Sequence, residues 1–215
     1  MIPPESYSRP TALIDSDHPS IQAFAQAIAE GARTERERAV KIYFAVRDGW
    51  RYNPYHISLQ PGALRASAIY ERTPREGHCL DKSVLMIALL RAVGIPTQLC
   101  LAKVRNHIAV ERMTAAFGPD ELAPHGYVEL WLDGRWIKAT PAFNRTLCER
   151  LNVHPLDFDG HRDSVFQEYD RAGGAFMEYL EEYGSFEDVP EERIMALLFE
   201  HYPGRFEEGV VVDLQ

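Results

Sequence analysis

Between Asp81 and Val93 the chain places apolar side chains around nearly the whole circumference of a helix: Val84, Leu85, Met86, Ile87, Leu89, Leu90 and Val93. A surface helix confines its apolar groups to one stripe, so a helix with this pattern must be surrounded by other elements. Gly94 is placed to end it, and Ile95-Pro96 bars its continuation. The rest of the chain therefore has to fold around this segment, and whatever opens it is held rigidly. The residues that open it are Gly77-His78-Cys79-Leu80.

The flanking sequence supplies partners. Apolar spacing predicts helices over about Pro19 to Gly31 and Thr34 to Asp48, and a short one from Ala66 to Arg72. Tyr52-Asn53-Pro54-Tyr55 and Gln60-Pro61-Gly62 read as loop. Thr97 to Val104 reads as a strand, and so does His125 to Leu132, whose side chains alternate between Tyr127, Glu129, Trp131 and Val128, Leu130, Leu132. Asp133-Gly134 is a two-residue hairpin turn, returning the chain through Arg135 to Thr140 until Pro141. Beyond residue 150 the pattern predicts helices around Ser164 to Tyr183 and Glu191 to His201, then an edge strand in Val210-Val211-Val212. The fold class expected is α+β: a buried helix packed on an antiparallel sheet, with a mostly helical C-terminal extension.

A length of 215 residues fits one domain, 1–215. The extension, about residues 151–215, is expected to pack on the core, because Phe158, Phe166, Tyr169, Phe176, Leu197 and their neighbours need a partner surface. A formal net charge of -9 argues against a nucleic-acid binder, which needs clustered Lys and Arg. No apolar run reaches the roughly 18 residues of a membrane-spanning helix. The start Met1-Ile-Pro-Pro-Glu lacks the basic and apolar segments of a secretory signal, so a cytoplasmic location without membrane contact is expected. Cys79, Cys100 and Cys148 form no CxxC pair and are too scattered for a disulfide framework or a thiolate zinc site.

A cysteine is a nucleophile as thiolate, a form favoured by a helix N-terminus and a nearby imidazolium. Cys79 has that address; Cys100 and Cys148 sit within a strand or loop. The alternative is that Cys79 is an inert core thiol. Of eight histidines, His125 is best placed as a base, opening a half-buried strand after Pro124, with His107 its nearest competitor. His78, adjacent in sequence, points elsewhere. An oxyanion site would use the Cys79 N–H and one upstream donor among Trp50, Tyr52, Asn53 and Gln60. His154, Asp157, Asp159 and His161 match no metal motif and read as a solvated loop. No metal or organic cofactor is expected.

Two blocks carry a resemblance. Gly77-His78-Cys79-Leu80-Asp81-Lys82-Ser83 with its apolar helix and Gly94-Ile95-Pro96 resembles the transglutaminase-like core. So does His125-Gly126-Tyr127-Val128-Glu129-Leu130-Trp131 with Asp133-Gly134-Arg135-Trp136. The resemblance covers about residues 35–145. It implies a papain-like site in which Cys79 attacks and His125 moves the proton, for amide hydrolysis or acyl transfer through a thioester. The substrate implied is a peptide or small amide or acyl compound. The family usually has an aspartate where this chain has Thr140, so the third site residue is either Thr140 or Asn144. Two alternatives stand beside this reading: a non-catalytic binding module that keeps the fold, supported by the missing aspartate, and an arylamine-acetyltransferase-like enzyme.

Overall fold

The computed structural model describes residues 5–58, 60–107, 120–165, 171–174, 176–204 and 211–213. Helices α1 (Pro19–Ala29), α2 (Glu35–Gly49) and α3 (Ala66–Glu71) surround α4 (Cys79–Ala92), and every residue of α4 from Cys79 to Arg91 is buried. The expected start at Asp81 falls two residues late. Glycine ends the helix as anticipated: Gly94 takes φ +82°, and the N–H groups of Gly94 and Ile95 close on the carbonyls of Arg91 and Leu90.

A four-stranded antiparallel sheet packs on α4, in the order β6 (Arg135–Ala139), β5 (Glu121–Leu132), β4 (Thr97–Asn106), β7 (Met177–Phe186). The Asp133-Gly134 turn between β5 and β6 has φ of +50° and +82°, the geometry of a tight hairpin. The segment read as loop carries two short strands. Strand β1 (Arg51–Tyr52) pairs in parallel with β3 (Glu76–Gly77), and β2 (His56–Ser58) pairs with β8 (Val211–Asp213). Strand β8 is the expected edge strand; Val210 lies outside the described residues. Helix α5 (Arg145–Arg150) follows the hairpin, and α6 (Glu191–His201) falls where the sequence places it.

One expectation fails. The helix foreseen over Ser164 to Tyr183 is replaced from Met177 onward by β7, which hydrogen-bonds along the free edge of β4. Met, Glu and Leu in this stretch favour helix weakly, but an unpaired ten-residue strand edge offers a whole ladder of backbone hydrogen bonds. Tertiary pairing therefore overrides local preference. Phe166 and Tyr169 lie outside the described residues.

The extension joins the main core. Phe158, Ile194, Leu197, Leu198 and Tyr202 belong to the same apolar cluster as Leu85, Ile87 and Leu89. Polar anchors fix the helices around it. The fully buried Lys82 donates to the carbonyls of Arg47 (2.9 Å), Trp50 (2.8 Å) and Ala142 (2.6 Å), tying α4 to the end of α2 and to the chain after β6. Burial lowers its pKa to about 7, while three carbonyl acceptors suit the three N–H groups of an ammonium.

Candidate active site

The site begins at the first turn of α4. His78 is the N-cap: its Nδ1 accepts from the Leu80 N–H at 3.2 Å, and its own N–H donates to Asp81 Oδ2 at 3.0 Å, a reciprocal capping box. Accepting at Nδ1 puts the ring proton on Nε2, which lies 3.4 Å from Asp81. Arg72 holds the other Asp81 oxygen at 3.2 Å. Gly77 is needed here, since a Cβ would lie 2.7 Å from that of Asp81. His78 thus builds the helix start that presents Cys79, the role its sequence neighbour position left open.

Strand β5 meets this turn where β6 stops. The last β5–β6 pair is Val128 with Ala139, so the next stretch of β5 toward its N-terminus has an edge that β6 does not cover. Helix α4 covers it instead: the Gly126 N–H donates to Cys79 Sγ at 3.5 Å, and Ser83 Oγ donates to the Gly126 carbonyl at 3.1 Å. The approach requires glycine. A Cβ on Gly126 would lie 2.6 Å from Leu80 Cδ2 and 3.2 Å from its Cα. Cys79 and His125 consequently line one cleft, together with Tyr52, Gln60, His78 and residues of α6.

Burial dominates the electrostatics. Cys79 is 9% exposed, and desolvation pushes its thiol up to about 11 against the opposing pull of the N–H groups of Gly126, Leu80 and Cys79 itself. Desolvation lowers His125 to about 4. At neutral pH the pair is thiol and neutral imidazole, without a direct hydrogen bond between them. His125 Nε2 is buried and makes no hydrogen bond among the described residues.

Neither expected third residue bonds to that ring. Asn144 is committed elsewhere: its Oδ1 accepts from the Tyr52 N–H at 2.9 Å and its Nδ2 donates to Thr146 at 2.7 Å. Thr140 is buried directly after β6, its backbone bonded to Ser164 and Tyr43. Its side-chain oxygen is buried and makes no hydrogen bond among the described residues; Tyr179 of β7 lies close by, and desolvation raises its buried phenol well above the ordinary range. Tyr179 also packs edge-on against His125, with ring centroids 6.1 Å apart at 84°, and against Tyr127 at 5.8 Å. Sequence reasoning missed Tyr179 because it assigned this segment to a helix. Tyr127 in turn donates to Glu182 at 2.8 Å and accepts from Lys138 at 3.2 Å, lashing β7 to β5 and β6.

The remaining candidates separate cleanly. Tyr52 and Gln60 reach the cleft. Trp50 packs between Phe24 and Tyr70, and the Asn53 amide is held by Glu76 and the Tyr55 N–H, so neither lines it. His107 lies past the far end of β4, 3.7 Å from Glu178. Cys100 and Cys148 are fully buried outside the cleft. Asp157 pairs with Arg47 at 3.5 Å, and Asp159 accepts from the N–H groups of His161 and Arg162, as turn-forming residues do. Among the described residues no group of three His, Cys, Asp or Glu side chains is arranged to hold a metal, and no helix is long and apolar enough to cross a membrane.

A candidate cysteine protease from Cytophaga hutchinsonii shares 18% identity over 84% of this chain and 53% of its own, with a TM-score of 0.48. A candidate protease from Parabacteroides distasonis shares 18% over 63% of this chain and 26% of its own, with a TM-score of 0.37. The chain thus spans about half the length of the first and about a quarter of the second. No curated protein sequence matches. The sequence model of the transglutaminase-like superfamily matches residues 22–141, more than half of the chain, from α1 through the end of the β5–β6 hairpin. The chain belongs to the transglutaminase-like superfamily.

Proposed function

We propose that the protein is a cysteine-dependent amide hydrolase or acyltransferase. The observation that carries this reading is that Cys79, the first residue of α4, and His125 of β5 line the same cleft, with the Gly126 N–H on the sulfur. In the reaction the Cys79 thiol passes its proton to His125 as sulfur bonds to the substrate carbonyl carbon. The carbon–nitrogen bond then breaks, and the same proton leaves with the amine. Water or a second amine attacks the thioester, the acyl group departs, and a proton returns to sulfur. Since the resting pair is neutral, proton transfer accompanies attack instead of preceding it. The Cys79 N–H, at the start of α4, is the natural oxyanion donor, with Tyr52 or Gln60 beside it. Where the family's aspartate is missing, the Tyr179 ring packed edge-on against His125 orients the imidazole.

Turnover of amide, peptide and thioester substrates tests this. Cys79→Ser should abolish it, and His125→Ala should lower it by about 100-fold or more. A panel with no Cys79-dependent turnover contradicts the reading. A binding module is the second reading, favoured by the protonated thiol and its lack of a hydrogen bond to His125. It expects ligand binding to survive Cys79→Ser.

A further inference from the structure

The surroundings of Cys79 are apolar to an extent that the chemistry of amide cleavage does not require. Ile57 and Leu64, from upstream of α4, line the cleft, and so do Ile194, Met195 and Leu198 of α6. The cavity is about 70 Å³ and opens to solvent at its mouth. Ile194 and Leu198 are four residues apart on one helical face, so α6 presents a continuous apolar ridge. The wall is fixed to the strand that carries His125. Tyr202, immediately after α6, accepts from the Ala123 N–H at 2.9 Å and donates to the Glu121 carbonyl at 3.2 Å.

Among the described residues, one carboxylate lines this cleft. Glu191 is the first residue of α6; its Oε1 accepts from the Gly62 N–H at 3.0 Å, and among the described residues no Lys or Arg pairs with it. The other ionisable groups of the described residues that face the space are His78, committed to the capping box, His125, the thiol and the phenols of Tyr52 and Tyr202. A carboxylate without a cationic side-chain partner, balanced only in part by the positive end of α6, repels anions and attracts a cation.

Building on the cysteine chemistry above, we propose that the cleft is a subsite for an acyl donor with an apolar side chain and an adjacent ammonium. An aminoacyl amide, or the N-terminal residue of a peptide, has that chemistry. Helix α6 receives the side chain and Glu191 the ammonium. Specificity thus comes from the extension, and the attacking group from the family core.

Chloromethyl ketones of leucine, phenylalanine, asparagine and glutamate with free α-amines, and N-acetylated leucine, test the subsite on the full chain. The readout is the second-order rate of Cys79 modification by mass spectrometry, with iodoacetamide as the reference without a side chain. The leucine and phenylalanine reagents should react about 10- to 100-fold faster than the asparagine and glutamate reagents. The free amine should outpace the acetylated form several-fold, an advantage that Glu191→Gln removes while the leucine preference stays. Equal rates across the wild-type series, with iodoacetamide still modifying Cys79, overturn the subsite and leave the nucleophile standing. If iodoacetamide modifies Cys100 or Cys148 and spares Cys79, the nucleophile is wrong and the subsite falls with it.

Discussion

The wall of the cleft formed by α4 and β5 lies wholly within the family-matched segment, whereas the wall formed by α6 and Tyr202 comes from the sequence beyond it. The first is fixed by short polar contacts with little freedom: a capping box, a lysine on three carbonyls, and two glycines that admit neighbouring side chains closer than a Cβ would allow. The second is held by strand pairing, apolar contact and a few side-chain bonds. The difference separates two tasks. A nucleophile needs fixed geometry, while a surface that chooses among substrates can vary as long as its scaffold holds.

The largest effect should follow from removing the second region altogether. Without residues 151–215, β4 loses its β7 partner and the main core loses Phe158, Ile194, Leu197, Leu198 and Tyr202. A chain ending at residue 150 should lose cooperative thermal unfolding. If it unfolds as sharply as the full chain, the extension is an appendage and the division of labour between the walls fails.

The extent to which each region was legible in sequence follows the same line. Helix α4, the β5–β6 hairpin and the Cys79 and His125 blocks were readable because their signals are local: continuous apolar periodicity, a glycine past a helix end, an Asp-Gly turn. Strand β7 was not, since its Met, Glu and Leu residues carry no local strand signal and it forms by pairing with a strand far back in the chain, as in Arg105 with Glu178. That error concealed Tyr179. Thr140 was read as a strand residue or a neutral orienter; its side-chain oxygen is buried without a hydrogen bond among the described residues, near a strand that sequence assigned to helix. Asn144 was a reasonable candidate by residue type, but its amide serves the Tyr52 backbone.

The pH dependence of stability sharpens the contrast from the core side. His125 has a folded pKa of about 4 against an ordinary value of 6.5. Between these values the unfolded chain binds a proton that the folded chain does not. The contribution is therefore fully present above pH 6.5 and is lost as pH falls toward 4, amounting to about 3 kcal/mol. Denaturant unfolding of the wild type and His125→Gln at pH 7 and pH 4.5 should show a smaller acid loss in the variant. Equal losses would mean that the ring titrates freely.

A smaller effect should distinguish the two regions at the imidazole itself. Tyr179→Phe keeps the ring packed on His125 and should leave Cys79-dependent turnover nearly unchanged. Tyr179→Leu, which removes the ring, should lower that turnover about 10-fold and alter its pH profile. Asn144→Ala should do the opposite, costing about 1 kcal/mol of stability through the lost Tyr52 bond while leaving the profile unchanged. A reversed pattern would restore Asn144 as the orienting residue.

The central claim is that Cys79 and His125 act as a pair, and the rate of Cys79 alkylation as a function of pH measures it without a known substrate. With limiting iodoacetamide, Cys79 should be modified before the fully buried Cys100 and Cys148. Its rate should keep climbing through neutral pH toward about 11, as expected of a protonated resting thiol. His125→Ala should slow modification at pH 7 by about 10-fold or more, by removing the base. An unchanged rate in His125→Ala, or modification of Cys100 or Cys148 ahead of Cys79, would contradict the account.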